Sequence, residues 1–197
     1  MVDAKIRRIR QRLANHRPVQ TTVEAATRAA VALLLQPQED DLHLLFIHRA
    51  HHPQDPWSGH MAFPGGRQDP EDPDLRVTIH RETKEEVGID LDHHGEYLAR
   101  LAEIQAMARG RPINLTVAPF VYLVSPQARL EPDPGEVQDT LWVPLSFLQQ
   151  DEVEKMVPRP VPDGAAVEVP ALVYGGKIIW GLTYRMLREF LDLISRA

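Results

Sequence analysis

Residues 65–90 read GGRQDPEDPDLRVTIHRETKEEVGID, and this stretch decides the fold and most of the chemistry of the chain. Within it, Glu82, Glu85 and Glu86 stand at offsets of 0, +3 and +4, so on a helix the three carboxylates fall within an arc of roughly 100°. Like charges at these spacings repel each other, and a shared divalent cation removes the repulsion. Clustered carboxylate oxygens suit Mg²⁺ or Mn²⁺, and these ions in turn suit phosphate chemistry.

The sequence around the glutamates predicts where this helix begins and ends. Asp72 is a favourable N-cap and Pro73 fits the first helical position, so the helix is predicted over residues 73–87. Gly88 follows it at the position where a left-handed residue is common. The row formed by Leu75, Ile79, Thr83 and Val87 is predicted to pack on a sheet, which places the acids at the edge of the buried face.

A double glycine precedes the helix. Residues 62–67, Ala-Phe-Pro-Gly-Gly-Arg, indicate a strand that ends in a tight loop, and glycines let the backbone approach a ligand closely. A backbone carbonyl at this loop, that of Gly66, could complete the oxygen shell of a metal. Taken alone, the two glycines suit a plain turn and the three glutamates suit a solvated helix face. Their combination in this order favours a metal site.

The run Gly-x5-acid followed by Arg81-Glu82, Glu85-Glu86 and Gly88 resembles the Nudix box of the Nudix hydrolases. The resemblance implies an α/β (α+β) fold, the Nudix α/β/α sandwich with a mixed β-sheet. It also implies that Glu82, Glu85 and Glu86 bind Mg²⁺ or Mn²⁺, and that Arg81 is a structural partner of Asp72.

Other segments are similar to the coenzyme A diphosphatase branch of that family. They are the Gly-x3-Phe-Pro-Gly-Gly element at residues 59–66, the box lengthened by one residue, and the Ile-Trp-Gly-x-Thr segment at residues 179–183. The resemblance implies hydrolysis of coenzyme A or an acyl derivative to 3′,5′-ADP and 4′-phosphopantetheine. The alternatives are another diphosphate substrate (ADP-ribose, NADH, a dinucleotide polyphosphate or a nucleoside triphosphate) or a regulatory module that binds a nucleotide without cutting it.

Several acids are candidates for the proton acceptor in diphosphate hydrolysis. Glu85 or Glu86 could serve if metal does not fully occupy it. Some Nudix enzymes use an acid from a later loop, and by resemblance Glu136 is the best placed of Glu131, Asp133, Glu136 and Asp139. An ordinary acid at the start of a strand is an equally good interpretation of Glu136.

The candidate substrate contacts are mostly arginines, since a guanidinium suits phosphate oxygens. Arg67 follows the double glycine directly and Arg49 matches an arginine of the branch, while Phe63 belongs to the Phe-Pro-Gly-Gly element. Arg109 and Arg111 suit either a 3′-phosphate or a solvated loop. Trp57 could stack on a base or on pantetheine, whereas Trp142 and Trp180 are expected in the core.

Composition limits the class of protein. The 197 residues are expected to form a single domain over residues 1–197, with a core of about 25–190 and an N-terminal helix over about 3–15. A net charge of −6 does not favour binding to nucleic acid, and the absence of cysteine excludes disulfides and thiolate metal sites. No apolar run approaches the length of a membrane span. A cytoplasmic protein is therefore expected, and the family resemblance implies a homodimer.

Hydrophobic periodicity predicts the remaining elements. Residues 151–166 are rich in proline and are expected to be irregular. Strands are predicted at 29–35, 42–47, 97–106, 115–124, 137–143, 167–174 and 177–180, and further helices at 145–150 and 183–194.

Overall fold

The structure is a computed structural model, and it describes residues 2–18, 27–53, 55, 57–108, 111–160 and 166–195. Arg109 and the expected core boundary near residue 25 lie outside the described residues. The helices are α1 (Val2–Ala14), α2 (Leu75–Val87), α3 (Leu91–His94), α4 (Leu145–Leu148) and α5 (Gly181–Ser195). The strands are β1 (Thr27–Gln38), β2 (Asp41–Arg49), β3 (Met61–Ala62), β4 (Gly65–Arg67), β5 (Gly95–Arg100), β6 (Ile104–Ala108), β7 (Arg111–Val124), β8 (Val137–Pro144), β9 (Glu154–Pro160), β10 (Ala166–Tyr174) and β11 (Lys177–Trp180).

A mixed sheet forms the centre of the protein. Its main path runs β3-β2-β1-β7-β5, while β4 pairs with β1, β6 with β7 and β8 with β2. β1 and β7 run parallel over the register Thr27↔Leu115 to Leu35↔Leu123, and the other pairs of this sheet are antiparallel. A smaller antiparallel sheet has the order β11-β10-β9.

Helices cover both faces of the mixed sheet. Successive side chains of a strand point to opposite faces, so the apolar run of β1 supplies two cores. Leu33 and Leu35 pack with residues of α1 and α5, whereas Ala32 and Leu34 pack with residues of α2. This arrangement confirms the predicted α/β/α layering with a mixed sheet. Among the described residues, no helix is both long and apolar enough to cross a membrane.

Most of the predicted elements are present, and three predictions were wrong. Helix α2 begins at Leu75 with Asp74 as its N-cap, so Asp72 and Pro73 precede the helix. The single strand predicted over 97–106 is two strands, because the chain leaves the ladder after β5 and rejoins β7 as β6. The region expected to be irregular contains a 3₁₀ turn (Asp151–Val153) and β9, which pairs with β10.

Candidate active site

The two ends of α2 fix the direction in which its acids point. The Asp74 side chain accepts hydrogen bonds from the backbone N–H groups of Arg76 (2.7 Å) and Val77 (3.0 Å). At the other end, Gly88 has φ 73° and its N–H donates to the carbonyl of Lys84 at 3.0 Å, as the sequence predicts. The predicted apolar row is buried against the sheet, with Leu75 at 4% exposure and Ile79 at 0%. Glu82 and Glu86 consequently lie at the margin between helix and sheet.

Three carboxylates converge at this margin. One oxygen from each of Glu82, Glu86 and Glu136 lies within 4.8 Å of the others. Glu136 reaches α2 because the preceding loop is tied to the end of the helix: the N–H of Asp133 donates to the carbonyl of Glu86 at 3.1 Å. The carbonyl of Glu136 also accepts a hydrogen bond of 2.8 Å from the N–H of Ala50. The cluster therefore joins residues that are 50 positions apart in the sequence.

Glu86 is the most deeply buried acid of the cluster, with 3% exposure. Its carboxylate accepts a hydrogen bond of 2.7 Å from the N–H of Gly65, and Arg49 Nη1 lies 3.7 Å from its Oε1. Burial raises the pKa of Glu86 to about 8 in the metal-free protein, and burial also raises the pKa of Glu82. A nearby cation would favour the charged form of both groups.

The double glycine leaves no space for side chains beside the acids. A Cβ on Gly66 would lie 2.4 Å from Cδ and Oε1 of Glu82, so the backbone of the loop touches the carboxylate directly. Gly65 has φ 144°, and a Cβ there would lie 2.1 Å from the carbonyl oxygen of Ala30. Hard oxygen donors crowded around one point match the preference of Mg²⁺ or Mn²⁺. The residues present thus fit a divalent cation, with Glu82 and Glu86 as its holders.

Arg81 binds three acids around the cation site. Its guanidinium donates to Asp72 Oδ2, to Glu82 Oε1 and to Glu85 Oε2, each at 2.9 Å. The Arg81 guanidinium holds the pKa of Asp72 at about 2. The pairing of Arg81 with Asp72 is the one that the family resemblance implies. Glu85 points to Arg81 with a side chain that is 53% exposed, outside the three-carboxylate cluster.

The predicted substrate residues lie in different surroundings. Arg49 is at the cluster and also pairs with Asp55 at 2.8 Å. Arg67 is exposed on β4, and its backbone carbonyl accepts a hydrogen bond of 3.2 Å from Arg81. Phe63 is 1% exposed and stacks on Phe46 with ring centroids 4.9 Å apart. The structure therefore places Phe63 in the core, away from any surface that a substrate could contact.

The remaining aromatic and basic candidates are spread over the surface. Arg111 is exposed at the start of β7. Trp57 and Trp142 are partly buried and pack against the two cores. Trp180 was expected in the core, but it is only half-buried, and its ring lies 4.9 Å from that of His60. Asp55, which holds Arg49, escaped the sequence reasoning because no local pattern links a loop acid to an arginine six residues earlier.

Two helical layers around a mixed sheet, with acids of one helix gathered at the double glycine, form the arrangement that the sequence predicts for a Nudix protein. A NUDIX domain family profile matches residues 26–162, and the chain belongs to that family. The MutT protein of Methanosarcina mazei Go1 shares the fold with a TM-score of 0.55 at 15% identity, over 93% of this chain and 100% of that one. Nudix hydrolases generally use divalent metal ions.

Curated relatives carry related names. The chain is 36% identical over 145 residues to an uncharacterized Nudix hydrolase NudL of Photorhabdus laumondii, which covers 70% of each protein. It is 30% identical over 138 residues to the mitochondrial coenzyme A diphosphatase NUDT8 of Homo sapiens, covering 70% of this chain and 56% of that protein. Two of the curated relatives are thus matched over only 36% and 56% of their length. The family and the fold of the chain are thus established.

Proposed function

We propose that this protein hydrolyses the diphosphate linkage of a nucleoside diphosphate derivative with a divalent cation, and that coenzyme A or an acyl-coenzyme A is its substrate. The observation that carries the proposal is the convergence of Glu82, Glu86 and Glu136 within 4.8 Å beside the glycine loop. Burial of the Glu82 and Glu86 carboxylates is costly unless a cation accompanies them. Support for the choice of substrate comes from the segments similar to the coenzyme A diphosphatase branch and from the name of the human relative.

A bound cation would neutralise phosphate oxygens and lower the pKa of an attacking water. The protein contributes position and charge. Glu82 and Glu86 hold the cation, and the packed double glycine keeps the Glu82 carboxylate in place. Arg81 orients Glu82 from the other side. The carbonyl of Gly66 as a further metal ligand, and Glu85 as a ligand or base, stay predictions.

Glu136 is the residue that we assign as proton acceptor. It is exposed at the entrance to β8, and no hydrogen bond or ion pair joins its carboxylate to another residue in the described part of the chain. The water oxygen forms a bond to phosphorus, the bond from phosphorus to the bridging oxygen breaks, and the water proton passes to Glu136. From coenzyme A this gives 3′,5′-ADP and 4′-phosphopantetheine.

Arg49 and Arg67 flank the cluster and suit the substrate phosphates. Arg49 is anchored by Asp55 and lies 3.7 Å from Glu86. Its guanidinium is therefore already held near the position where negative charge would develop on the phosphate oxygens of the substrate. Fixed donors of this kind stabilise a transition state more than a mobile side chain does. Arg67 is exposed and free to meet a phosphate that arrives from solvent. A cytoplasmic location and a homodimer remain predictions from the sequence.

Product analysis by chromatography tests the proposal. The protein is incubated with Mg²⁺ or Mn²⁺ and with coenzyme A, ADP-ribose, NADH or diadenosine polyphosphates in parallel. Glu86→Gln is the inactive variant, and Glu39→Gln, in the exposed β1–β2 turn, is the matched control. The proposal is supported if the wild type and Glu39→Gln form 3′,5′-ADP from coenzyme A and Glu86→Gln does not.

Two other results would change the assignment. If a different compound is cleaved preferentially, the metal-dependent hydrolysis of a diphosphate stands and the assignment of coenzyme A as the substrate is wrong. Absence of cleavage, together with nucleotide binding in calorimetry, points to a regulatory module that does not hydrolyse its ligand.

A further inference from the structure

Arg159 on β9 lies against the aromatic ring of Trp180, which is close to His60. Its guanidinium carbon is 4.8 Å from the centroid of the Trp180 ring, at the end of β11. The ring of His60 lies 4.9 Å from the same tryptophan. A guanidinium stacked on an aromatic face is held in one orientation while the donors at its edge stay available.

Arg159 differs from Arg49 in having no acidic partner among the residues that the structure describes. Within the described ranges no carboxylate lies at ion-pair distance from Arg159, and its buried Nε has no hydrogen-bond partner. The protein carries 28 acidic and 22 basic side chains, so acids are not scarce. In the described part of the chain, ion pairs with acids are formed by Arg10, Arg28, Arg49, Arg81, Arg100 and Arg188. An unpaired donor of this kind is costly unless a ligand satisfies it.

A short chain of contacts connects Arg159 with the cation site. The carbonyl of His60 accepts a hydrogen bond of 3.1 Å from the N–H of Arg49, and the Arg49 guanidinium reaches Glu86. The pKa of His60 is lowered, first by burial and then by the charge of Arg159. Lys177 nearby is already held by Asp139 at 3.4 Å. Among the described residues near His60, Arg49 and Lys177 each have an acidic partner, whereas Arg159 has none.

We propose that Arg159, oriented by Trp180, binds a phosphate monoester of the substrate that is separate from the scissile diphosphate, such as one on the ribose of a nucleotide. This inference rests on the proposed function, since it describes the far end of the same substrate. Arg159 lies within residues 26–162 that the family profile matches, and Trp180 lies beyond them. Its role is to select substrates and not to take part in bond cleavage.

Calorimetric titration with 3′,5′-ADP and with 5′-AMP isolates the subsite, because the two ligands differ by one phosphate monoester. The wild type is expected to bind 3′,5′-ADP about ten- to a hundredfold more tightly, the range for charge-assisted hydrogen bonds. In Arg159→Gln this preference disappears while the affinity for 5′-AMP is unchanged. Arg159→Lys keeps the charge without the planar fork and recovers part of the preference.

Arg10→Gln on α1 is the matched control, since it removes the same charge from an exposed ion pair with Glu96 of β5. This variant is expected to keep the preference for 3′,5′-ADP. Circular dichroism and thermal unfolding show that each variant is folded. Equal affinity of the wild type for both ligands, or a preference that survives in Arg159→Gln, overturns the proposal. If coenzyme A is not hydrolysed but the preference depends on Arg159, the proposed hydrolysis fails and the subsite stands.

Discussion

Gly66→Ala tests the contact between the glycine loop and the cation site. The new Cβ would lie 2.4 Å from Cδ and Oε1 of Glu82, whereas ordinary contact begins at about 3.4 Å. The carboxylate must therefore retreat by about 1 Å, and metal ligands tolerate about 0.2 Å. A misplacement of this size costs roughly a hundredfold in rate. Because the displaced group is the flexible end of a side chain, the free energy of unfolding changes by less than about 1 kcal/mol.

The assay combines three measurements on the same preparation: coenzyme A hydrolysis, Mn²⁺ affinity by calorimetry, and urea unfolding with EDTA. Gly176→Ala is the control, since Gly176 has φ 78° and open space around the position of a Cβ. Its left-handed backbone makes this variant about 1 kcal/mol less stable, without a change in rate or Mn²⁺ affinity. The two variants thus separate effects on the site from effects on the fold. Wild-type hydrolysis and Mn²⁺ affinity in Gly66→Ala would refute the reasoning.

Three further predictions concern the acids and the core. Glu86→Gln abolishes hydrolysis, yet in EDTA it raises the free energy of unfolding at pH 7 by about 2–3 kcal/mol. Folding raises the pKa of the Glu86 carboxyl from 4.5 to about 8, so this group destabilises the folded protein increasingly as the pH rises through that window. An unchanged or lower urea midpoint for the variant would contradict this. At Asp41, burial alone would raise the pKa, but hydrogen bonds from Lys5 and Ser146 bring it to about 2, so its stabilisation is lost as the pH falls from about 4 to about 2. Asp41→Asn should flatten that part of the stability profile in urea titrations, and equal slopes for variant and wild type would count against it. Phe63→Ala removes a ring that is 1% exposed, and it lowers the free energy of unfolding measured in urea by about 3–5 kcal/mol. A loss of substrate affinity at unchanged stability would instead show that Phe63 contacts the substrate.

The local features of the site could be predicted from the sequence because short-range physics determines them. The spacing of Glu82 and Glu86 fixes their common helix face, and Gly88 ends the helix in the left-handed conformation that only glycine adopts easily. The start of the helix was predicted two residues early. Asp72 and Asp74 are equally good caps by type, and the choice depends on Arg81, which engages Asp72.

Long-range contacts could not be predicted from local patterns. Glu136 joins the cluster through hydrogen bonds between its loop and the end of α2, and only the family resemblance pointed to it. The strand β9 was missed because its prolines argue against a strand, although an edge strand accommodates them. The sequence predicts Trp180 in the core, but Trp180 lies at the end of β11 beside His60 and Arg159. This position depends on how the smaller sheet meets β3, which no local pattern shows.

Mn²⁺ binding measured by calorimetry on the wild type, Glu82→Gln, Glu86→Gln and Glu39→Gln tests the central claim most directly. The claim is that Glu82 and Glu86 of α2 hold the cation that hydrolysis requires. It predicts that Glu82→Gln and Glu86→Gln each weaken Mn²⁺ binding at least about tenfold, in proportion to their loss of coenzyme A hydrolysis, while Glu39→Gln behaves as the wild type. Unchanged Mn²⁺ affinity in both helix variants would contradict it.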